Sequence, residues 1–125
     1  MFDLAPLAIG TTARSGISQW FAEAVATFTL VLAILGGVRY APQSIPWLVG
    51  LTITAAYWFT SSTSFANPAV TLARAFTTTF AGIAINHVPG FIAAQLIGAA
   101  IALGIGALLF SERTRHLEKV VEPGE

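Results

Sequence analysis

The sequence predicts an all-α membrane protein with three transmembrane helices and one re-entrant half-helix. Three observations support this fold class. Hydrophobic residues make up 55% of the 125 residues and charged residues only 10%, a balance typical of chains that lie in lipid. Three long apolar segments are separated by polar connections. An Asn-Pro pair, which is a helix-start signal, stands between the second and third segments.

The first two spans are predicted over residues 19–38 and 45–62. Residues 19–38, QWFAEAVATFTLVLAILGGV, contain a single ionisable group, Glu23. They provide about the 20 residues needed to cross a hydrocarbon core of about 30 Å. A connection rich in proline and polar residues then ends at Pro46, which suits the first turn of a helix. The apolar run that follows is short, so the second span needs part of the serine run after it.

The third span is predicted over residues 88–110, VPGFIAAQLIGAAIALGIGALLF. Small residues recur at every fourth position of this segment, which places them on one face of a helix. These residues are Gly90, Ala94, Gly98, Ala102 and Gly106. Such a face lets a neighbouring backbone approach closely inside a membrane. We interpret it as a helix-packing face, with a generic tight contact favoured over a specific dimer motif.

The two ends of the chain differ from the apolar segments. Residues 1–18 contain a short apolar patch broken by Pro6 and lack a basic start. They therefore indicate an external surface segment, or an interfacial one, rather than a cleaved signal peptide. Residues 111–125, SERTRHLEKVVEPGE, are charged and predict a solvated cytoplasmic tail that is disordered or weakly helical.

The basic residues predict the orientation in the membrane. Three spans place the two termini on opposite sides. The side of the C-terminus carries four basic residues, Arg39, Arg113, Arg115 and Lys119, and the other side carries Arg14 and Arg74. By the positive-inside rule, the chain is a multi-pass protein of the cell (inner) membrane with its N-terminus outside and its C-terminus in the cytoplasm.

Several function classes lack support in this sequence. Six basic and six acidic residues cancel, so there is no electrostatic case for a nucleic-acid partner. The absence of cysteine excludes thiolate catalysis and cysteine-based metal sites. His87 and His116 have no neighbours at metal-ligand spacing, so we expect neither a metal site nor a cofactor. No nucleophile, base and oxyanion arrangement can be named, and an enzyme is not predicted.

The Asn-Pro pair lies in residues 64–76, SFANPAVTLARAF. Asn67 is a strong N-cap and Pro68 suits the first helical turn, so a short helix is predicted over about residues 67–77. About ten residues make roughly 15 Å, half of the bilayer, so this helix can enter the membrane and return but cannot cross it. Irregular backbone at that depth must be covered by protein or line a watery cavity. An external loop carrying a surface helix is the alternative that spacing leaves open.

The motif NPAVTLA, which begins at Asn67, resembles the Asn-Pro-Ala re-entrant motif of the aquaporin and glycerol-facilitator channels, the major intrinsic protein family. The stretch AEAVATFTLV, with Glu23 and Thr27 one helical turn apart, looks like the Glu-x-x-x-Thr pattern of the family's opening helix. PGFIAAQLIGA, which begins at Pro89, looks like the helix that closes a family repeat. Together these motifs extend the resemblance over about residues 20–110.

The resemblance implies half of an aquaporin-like inverted-repeat fold. The family fold has two inverted repeats, each with three helices and a re-entrant half-helix, and the two half-helix tips meet at the pore centre. Residues 19–110 would form one repeat. The predicted orientation is that of the family's second repeat, and FANPAVTLARAFTTTFAGI resembles the second half of bacterial members.

The resemblance also implies roles for individual residues. Asn67 would donate its side-chain amide to a passing water, and Pro68 and Ala69 would form the packed tip of the half-helix. Glu23 would accept hydrogen bonds from backbone N–H groups of the re-entrant loop, since a carboxyl group within a span normally has a partner. The alternative is a protonated Glu23 bonded to one of the other polar residues of the spans, Thr27 or Gln95.

One position departs from the pattern of water-selective family members. The residue after their second Asn-Pro-Ala motif is commonly an arginine that narrows the filter, and here it is Val70. Counting back from the motif places Ala55 at the other filter position. A wider, less polar constriction is therefore expected, which favours small uncharged solutes such as glycerol or undissociated arsenous acid beside water. Tyr57 and Trp58 either line the mouth of the channel, beside this constriction, or face the lipid interface. The lipid interface is favoured for Trp58.

The resemblance thus predicts a passive half-channel for water or small neutral solutes. A second repeat, from another copy or a separate chain, is needed to enclose the pore. The expected partners are the lipid bilayer, the permeating solute and that second repeat, within a homo-oligomer. The alternative is a non-conducting membrane subunit or a truncated remnant of a longer channel.

Overall fold

Helices make up the regular structure of the part of the chain that the computed structural model describes, residues 7–121, with side chains as far as residue 110. No strand occurs in residues 7–121. The α-helices are α1 (Ile17–Tyr40), α2 (Ile45–Phe59), α3 (Pro68–Arg74) and α4 (Val88–Val121). Single 3₁₀ turns over Pro42–Ser44 and Ile85–His87 lead into α2 and α4. The all-α class predicted from the sequence is confirmed for the described residues.

Two helical segments of the described chain are long and apolar enough to cross a membrane. They are Ile17–Tyr40, with 24 residues, and Ile85–Phe110, with 26 residues. The helix α2 has 15 residues and is therefore about 22 Å long. It ends at Phe59, three residues before the predicted end of the second span, because Thr60 is extended and its Oγ1 donates a hydrogen bond back to the Ala56 carbonyl at 2.6 Å.

The helix α4 continues beyond the predicted third span, through Val121. The sequence favoured a disordered or weakly helical tail over residues 111–125. After Phe110 the chain contains no glycine or proline until Pro123, so no helix breaker interrupts the backbone hydrogen bonds. The last four residues of the predicted tail lie outside the described residues.

The small residues of α4 pack against α1. A Cβ atom on Gly98 would collide with the Ala24 carbonyl oxygen, and one on Gly106 would lie 2.7 Å from Leu35 Cδ1. Ala94 and Ala102 are buried on the same face. The two longest helices therefore approach each other through backbone contact, which hydrophobic side chains alone do not drive inside lipid.

Two small apolar clusters place α3 beside the long helices. One consists of Phe65, Ala75, Ile83, Val88 and Phe91, and it packs the two ends of α3 against the start of α4. The other consists of three alanines, Ala26, Ala56 and Ala66. Because alanines are small, α1, α2 and the loop before α3 meet closely in the second cluster.

The N-terminal segment, residues 7–15, runs along the C-terminal end of α3. Its Gly10 N–H donates to the Ala75 carbonyl at 2.7 Å, and its Ala8 N–H donates to the Phe76 carbonyl at 3.1 Å. Carbonyl groups at a helix end lack partners within the helix, so this segment satisfies them. The sequence predicted a surface segment over residues 1–18, of which residues 1–6 lie outside the described residues.

We predict that Gly98→Ala destabilises the fold, because the added Cβ meets the Ala24 backbone and the two helices must separate. Overpacking of this kind costs about 1–3 kcal/mol. Thermal unfolding in detergent, followed by circular dichroism, measures the loss. Gly104→Ala on the same helix is the matched control, because a Cβ there meets no atom within 4 Å. Equal stability of the two variants would contradict the backbone contact.

Candidate functional site

The start of α3 is built by Asn67, which acts as the N-cap predicted from the sequence. Its Oδ1 accepts hydrogen bonds from the Ala69 N–H at 2.8 Å and the Val70 N–H at 3.4 Å. Pro68 follows at the first helical position, where its missing N–H costs nothing. The side chain of Asn67 is exposed, and its Nδ2 has no hydrogen-bond partner within residues 7–110. The amide is thus available as a donor.

The entry loop, residues 60–67, leads into α3 with a strained backbone. Three of its non-glycine residues have positive φ angles: Thr63 at 63°, Ser64 at 49° and Ala66 at 52°. Each such conformation costs about 1–2 kcal/mol relative to a right-handed one. Other contacts must hold this loop, since the loop would otherwise relax.

Glu23 of α1 holds the entry loop through both of its carboxyl oxygens. Oε1 accepts a hydrogen bond from the Phe65 N–H at 2.9 Å, and Oε2 accepts one from the Ala66 N–H at 2.8 Å. The side chain is fully buried. The carboxyl group thus accepts from two backbone N–H groups that would find no hydrogen-bond acceptor in lipid, and these N–H groups in turn provide partners for the buried carboxyl group.

Gln95 of α4 extends this network to α3. Its Nε2 donates to Glu23 Oε2 and to Thr71 Oγ1, both at 2.8 Å. Thr71 Oγ1 in turn donates to the Asn67 carbonyl at 3.0 Å. Thr27, which the sequence paired with Glu23, is buried, but its Oγ1 has no hydrogen-bond partner in the described part of the chain. The structure therefore brings Glu23, Gln95 and Asn67 into one network and leaves Thr27 beside it.

Arg14, just before α1, clamps two loops, and the sequence reasoning missed this role. Its Nη1 donates to the Ser62 carbonyl of the entry loop at 3.2 Å. Its Nε and Nη2 donate to the Gly82 and Phe80 carbonyls at 2.8 and 2.7 Å. The latter two belong to the exit loop, residues 75–84, which follows α3. The sequence feature that could have indicated this role is the position of Arg14, directly before a predicted span in a chain with few charged residues.

The environment of Arg14 is unfavourable for its charge. The side chain is 5% exposed, and burial lowers the pKa of its guanidinium, with the positive charge of Arg74 adding to the effect. Arginine nevertheless stays protonated in proteins. Three carbonyl acceptors therefore compensate a buried cation, which makes the clamp costly to break.

The two predicted filter residues lie in different surroundings. Val70 is half-buried and packs against the cluster around Phe65. Ala55 on α2 is exposed, as is Ala69 at the start of α3. Neither Ala55 nor Ala69 belongs to the two buried clusters.

Arg74 at the end of α3 contacts two aromatic residues. Its Nη2 donates to the Tyr57 hydroxyl of α2 at 2.9 Å. Its guanidinium carbon lies 4.4 Å from the centre of the Phe65 ring and 5.9 Å from that of Tyr57. Both distances are within the range of cation–π attraction. Arg74 therefore joins α2 to α3 on the side of α3 that carries Val70.

The described residues contain no group of three His, Cys, Asp or Glu side chains that could hold a metal ion. Nδ1 of His87 accepts a hydrogen bond from the Arg14 N–H at 3.1 Å, so this ring nitrogen is used to hold the N-terminal segment. The side chain of His116 lies outside the described residues.

The chain is similar to known channel proteins. Residues 10–124 match the family model described as Major intrinsic protein. Aquaglyceroporin AqpS of Rhizobium meliloti (strain 1021) is 58% identical over 105 residues, which cover 84% of this chain and 45% of that protein. Aquaporin NIP3-1 of Arabidopsis thaliana is 32% identical over 106 residues, which cover 77% of this chain and 32% of that protein.

The chain thus matches less than half the length of these two relatives. No solved structure gives a significant match.

We predict that Glu23→Gln loosens the entry loop, because an amide offers one acceptor oxygen where two backbone N–H groups need one each. An unsatisfied buried donor costs about 1–3 kcal/mol. Hydrogen exchange of the Phe65 and Ala66 amides measures the opening. Thr29→Val on α1 is the control, since among the described residues the Thr29 hydroxyl bonds within its own helix, to the Val25 carbonyl. Unchanged protection in Glu23→Gln would show that other contacts hold the loop.

We predict that Arg14→Lys lowers the free energy of unfolding by about 1–3 kcal/mol, because an ammonium group cannot match the planar fork that reaches three carbonyls. Thermal unfolding in detergent, followed by circular dichroism, measures the loss. A stability equal to that of the unchanged protein would mean that the clamp contributes little.

Proposed function

The chain belongs to the major intrinsic protein family, whose members are channels and not enzymes, and we propose that it forms half of a passive transmembrane channel for water and small neutral solutes. The observation that carries this proposal is the exposed amide of Asn67 at the tip of a short helix. That helix is held at the end of a strained loop by side chains of the two longest helices. In an integral membrane protein, such a tip presents a polar donor next to exposed apolar residues such as Ala69 and Leu72.

Asn67 would act as the donor that orients a permeating water or hydroxyl group. Its Oδ1 is occupied by the Ala69 and Val70 N–H groups, so only the Nδ2 donors are left to face a solute. The start of α3 also carries part of the positive end of the helix dipole. Together they favour uncharged acceptors and oppose cations and protons.

A second repeat would complete the pore. Ala56 is the one buried residue of α2, and Asn67 and Ala69 are exposed, so the faces that carry the tip have no covering element within the described residues. The second repeat would come from a second copy, from a separate chain or from further sequence of a longer chain. The assembled channels would associate as homo-oligomers, as channels of this family typically do.

Val70 and Ala55 would make the filter wide and weakly polar, because neither side chain has a hydrogen-bonding group. This supports glycerol or undissociated metalloid acids as solutes beside water. The name of the relative AqpS, an aquaglyceroporin, points to the same solute class. We also propose that the N-terminus lies outside and the C-terminus in the cytoplasm, from the excess of basic residues near the latter.

Light scattering of proteoliposomes under an osmotic gradient tests this function, with an impermeant solute for water and then with glycerol. We expect faster volume changes than in empty vesicles. Asn67→Asp should lower the permeability about tenfold, since it keeps the cap oxygen but removes the donor, and one hydrogen bond is worth about 1.4 kcal/mol. Asn86→Asp, the same change in the exposed turn before α4, is the matched control and should conduct normally.

Folded protein that gives no permeability above the lipid background would contradict conduction by this chain alone. It would favour the alternative, a non-conducting membrane subunit. Coreconstitution with a chain that carries a first repeat would then separate a half-channel that needs a different partner from a subunit without a pore.

A further inference from the structure

The end of α3 carries a positive charge that no acidic side chain of the described part of the chain neutralises. Glu23 is the only acidic residue within residues 7–110. Both of its oxygens are occupied by the entry loop and Gln95. Arg74 has the Tyr57 hydroxyl as its hydrogen-bonding side-chain partner, and a hydroxyl group does not cancel a charge.

Arg74 lies on the same flank of α3 as Val70. The two residues are four positions apart, so they are neighbours along one side of the helix. Thr71 of α3 and Ala75 directly after α3 are buried, whereas Val70 and Arg74 are half-buried. The charge is thus one helical turn away from Val70, toward the C-terminal end of α3.

The guanidinium of Arg74 is held in place. The hydrogen bond to Tyr57 and the Phe65 ring fix it from two elements, α2 and the entry loop. Its Nη1 is buried and has no hydrogen-bond partner among the described residues, so the charge is only partly hydrated. A fixed and partly desolvated charge acts more strongly on nearby ions than one on a flexible, fully hydrated side chain.

The positive charge of Arg74 also acts on the nearby guanidinium of Arg14. Arg14 and Arg74 are close enough for the charge of Arg74 to lower the pKa of Arg14, and the Phe65 ring lies 5.2 Å from one guanidinium carbon and 4.4 Å from the other. Within residues 7–110, this end of α3 is therefore a region of positive potential that no acidic side chain compensates.

We propose that Arg74, positioned by the Tyr57 hydroxyl, is a specificity-determining residue that repels cations at the mouth beside Val70. This assignment rests on the proposed channel function, because it treats the flank of α3 with Val70 and Arg74 as facing the solute path. Val70 leaves the constriction itself uncharged and wide, and Arg74 supplies the charge selection one turn away. Neutral solutes pass such a mouth, whereas cations meet a barrier before they reach Asn67.

The potential can be measured without relying on conduction. The chain has no cysteine, so Val70→Cys introduces a single thiol. The rates of its modification by an anionic reagent, sulfonatoethyl methanethiosulfonate, and a cationic one, the trimethylammonioethyl form, are compared as a ratio. Changes in thiol reactivity cancel in that ratio, which leaves the local potential.

We expect Arg74→Gln to lower the anionic-to-cationic ratio about tenfold. At about 6 Å in water, one unit charge changes the local concentration of a singly charged reagent about threefold. The concentration of the anionic reagent rises and that of the cationic reagent falls, so their ratio changes about tenfold. The difference should shrink in about 1 M salt, where the screening length is about 3 Å. Arg74→Lys keeps the charge and should keep most of the ratio. Arg39→Gln, at the far end of α1, is the matched control and should leave the ratio unchanged.

An unchanged ratio in folded Arg74→Gln protein would overturn the proposal, as would an equal fall in Arg39→Gln. A thiol at position 70 that neither reagent modifies would place this flank out of water and overturn it too. The permeability assay tests the channel function separately. If the protein conducts water but Arg74→Gln leaves the modification ratio unchanged, only the role of Arg74 is refuted. If the modification ratio changes as expected but the vesicles show no water permeability, the channel function is refuted and the positive potential beside Val70 stands.

Discussion

The hydrogen bonds from the entry loop to the carboxyl group of Glu23 are the constraint on which the rest of the site depends. The loop contains three non-glycine residues with positive φ angles, and apolar surroundings offer no water to satisfy its backbone. Two N–H donors, from Phe65 and Ala66, meet the two oxygens of one buried side chain. These bonds offset the strain of the loop. The loop can therefore place the start of α3 beside α1, with Asn67 exposed at the tip of α3.

The network around Glu23 explains why the polar residues of the long helices stand where they do. Gln95 connects Glu23 of α1 with Thr71 of α3, and Arg14 connects the entry loop with the exit loop. The close approach of α1 and α4 at Gly98 brings these side chains within reach of each other. Packing and polar contacts therefore support the same arrangement, and weakening either one should disturb the tip of α3.

Much of this arrangement follows from local signals in the sequence. The apolar lengths predict the long helices, and Asn67-Pro68 predicts the start of α3, because both depend on residues within a few positions of each other. The resemblance to the major intrinsic protein family is confirmed by the match over residues 10–124. The end of α2 and the helix through residues 111–121 were predicted less well, because helix ends depend on competing hydrogen bonds of single side chains.

By itself, the sequence determined the all-α class, the apolar segments, the cap at Asn67 and the small-residue face of α4. The family resemblance also assigned Glu23 to backbone N–H groups of the loop before Asn67. Only the tertiary structure decided which N–H groups these are, that Gln95 shares the same carboxyl group, and that Arg14 binds both loops. Glu23 meets Ala66 across 43 positions of the chain and Gln95 across 72, and Arg14 meets Gly82 across 68. Capping and helix periodicity act over about four residues. Long-range pairing depends instead on how closely whole helices pack, and no local pattern encodes that distance.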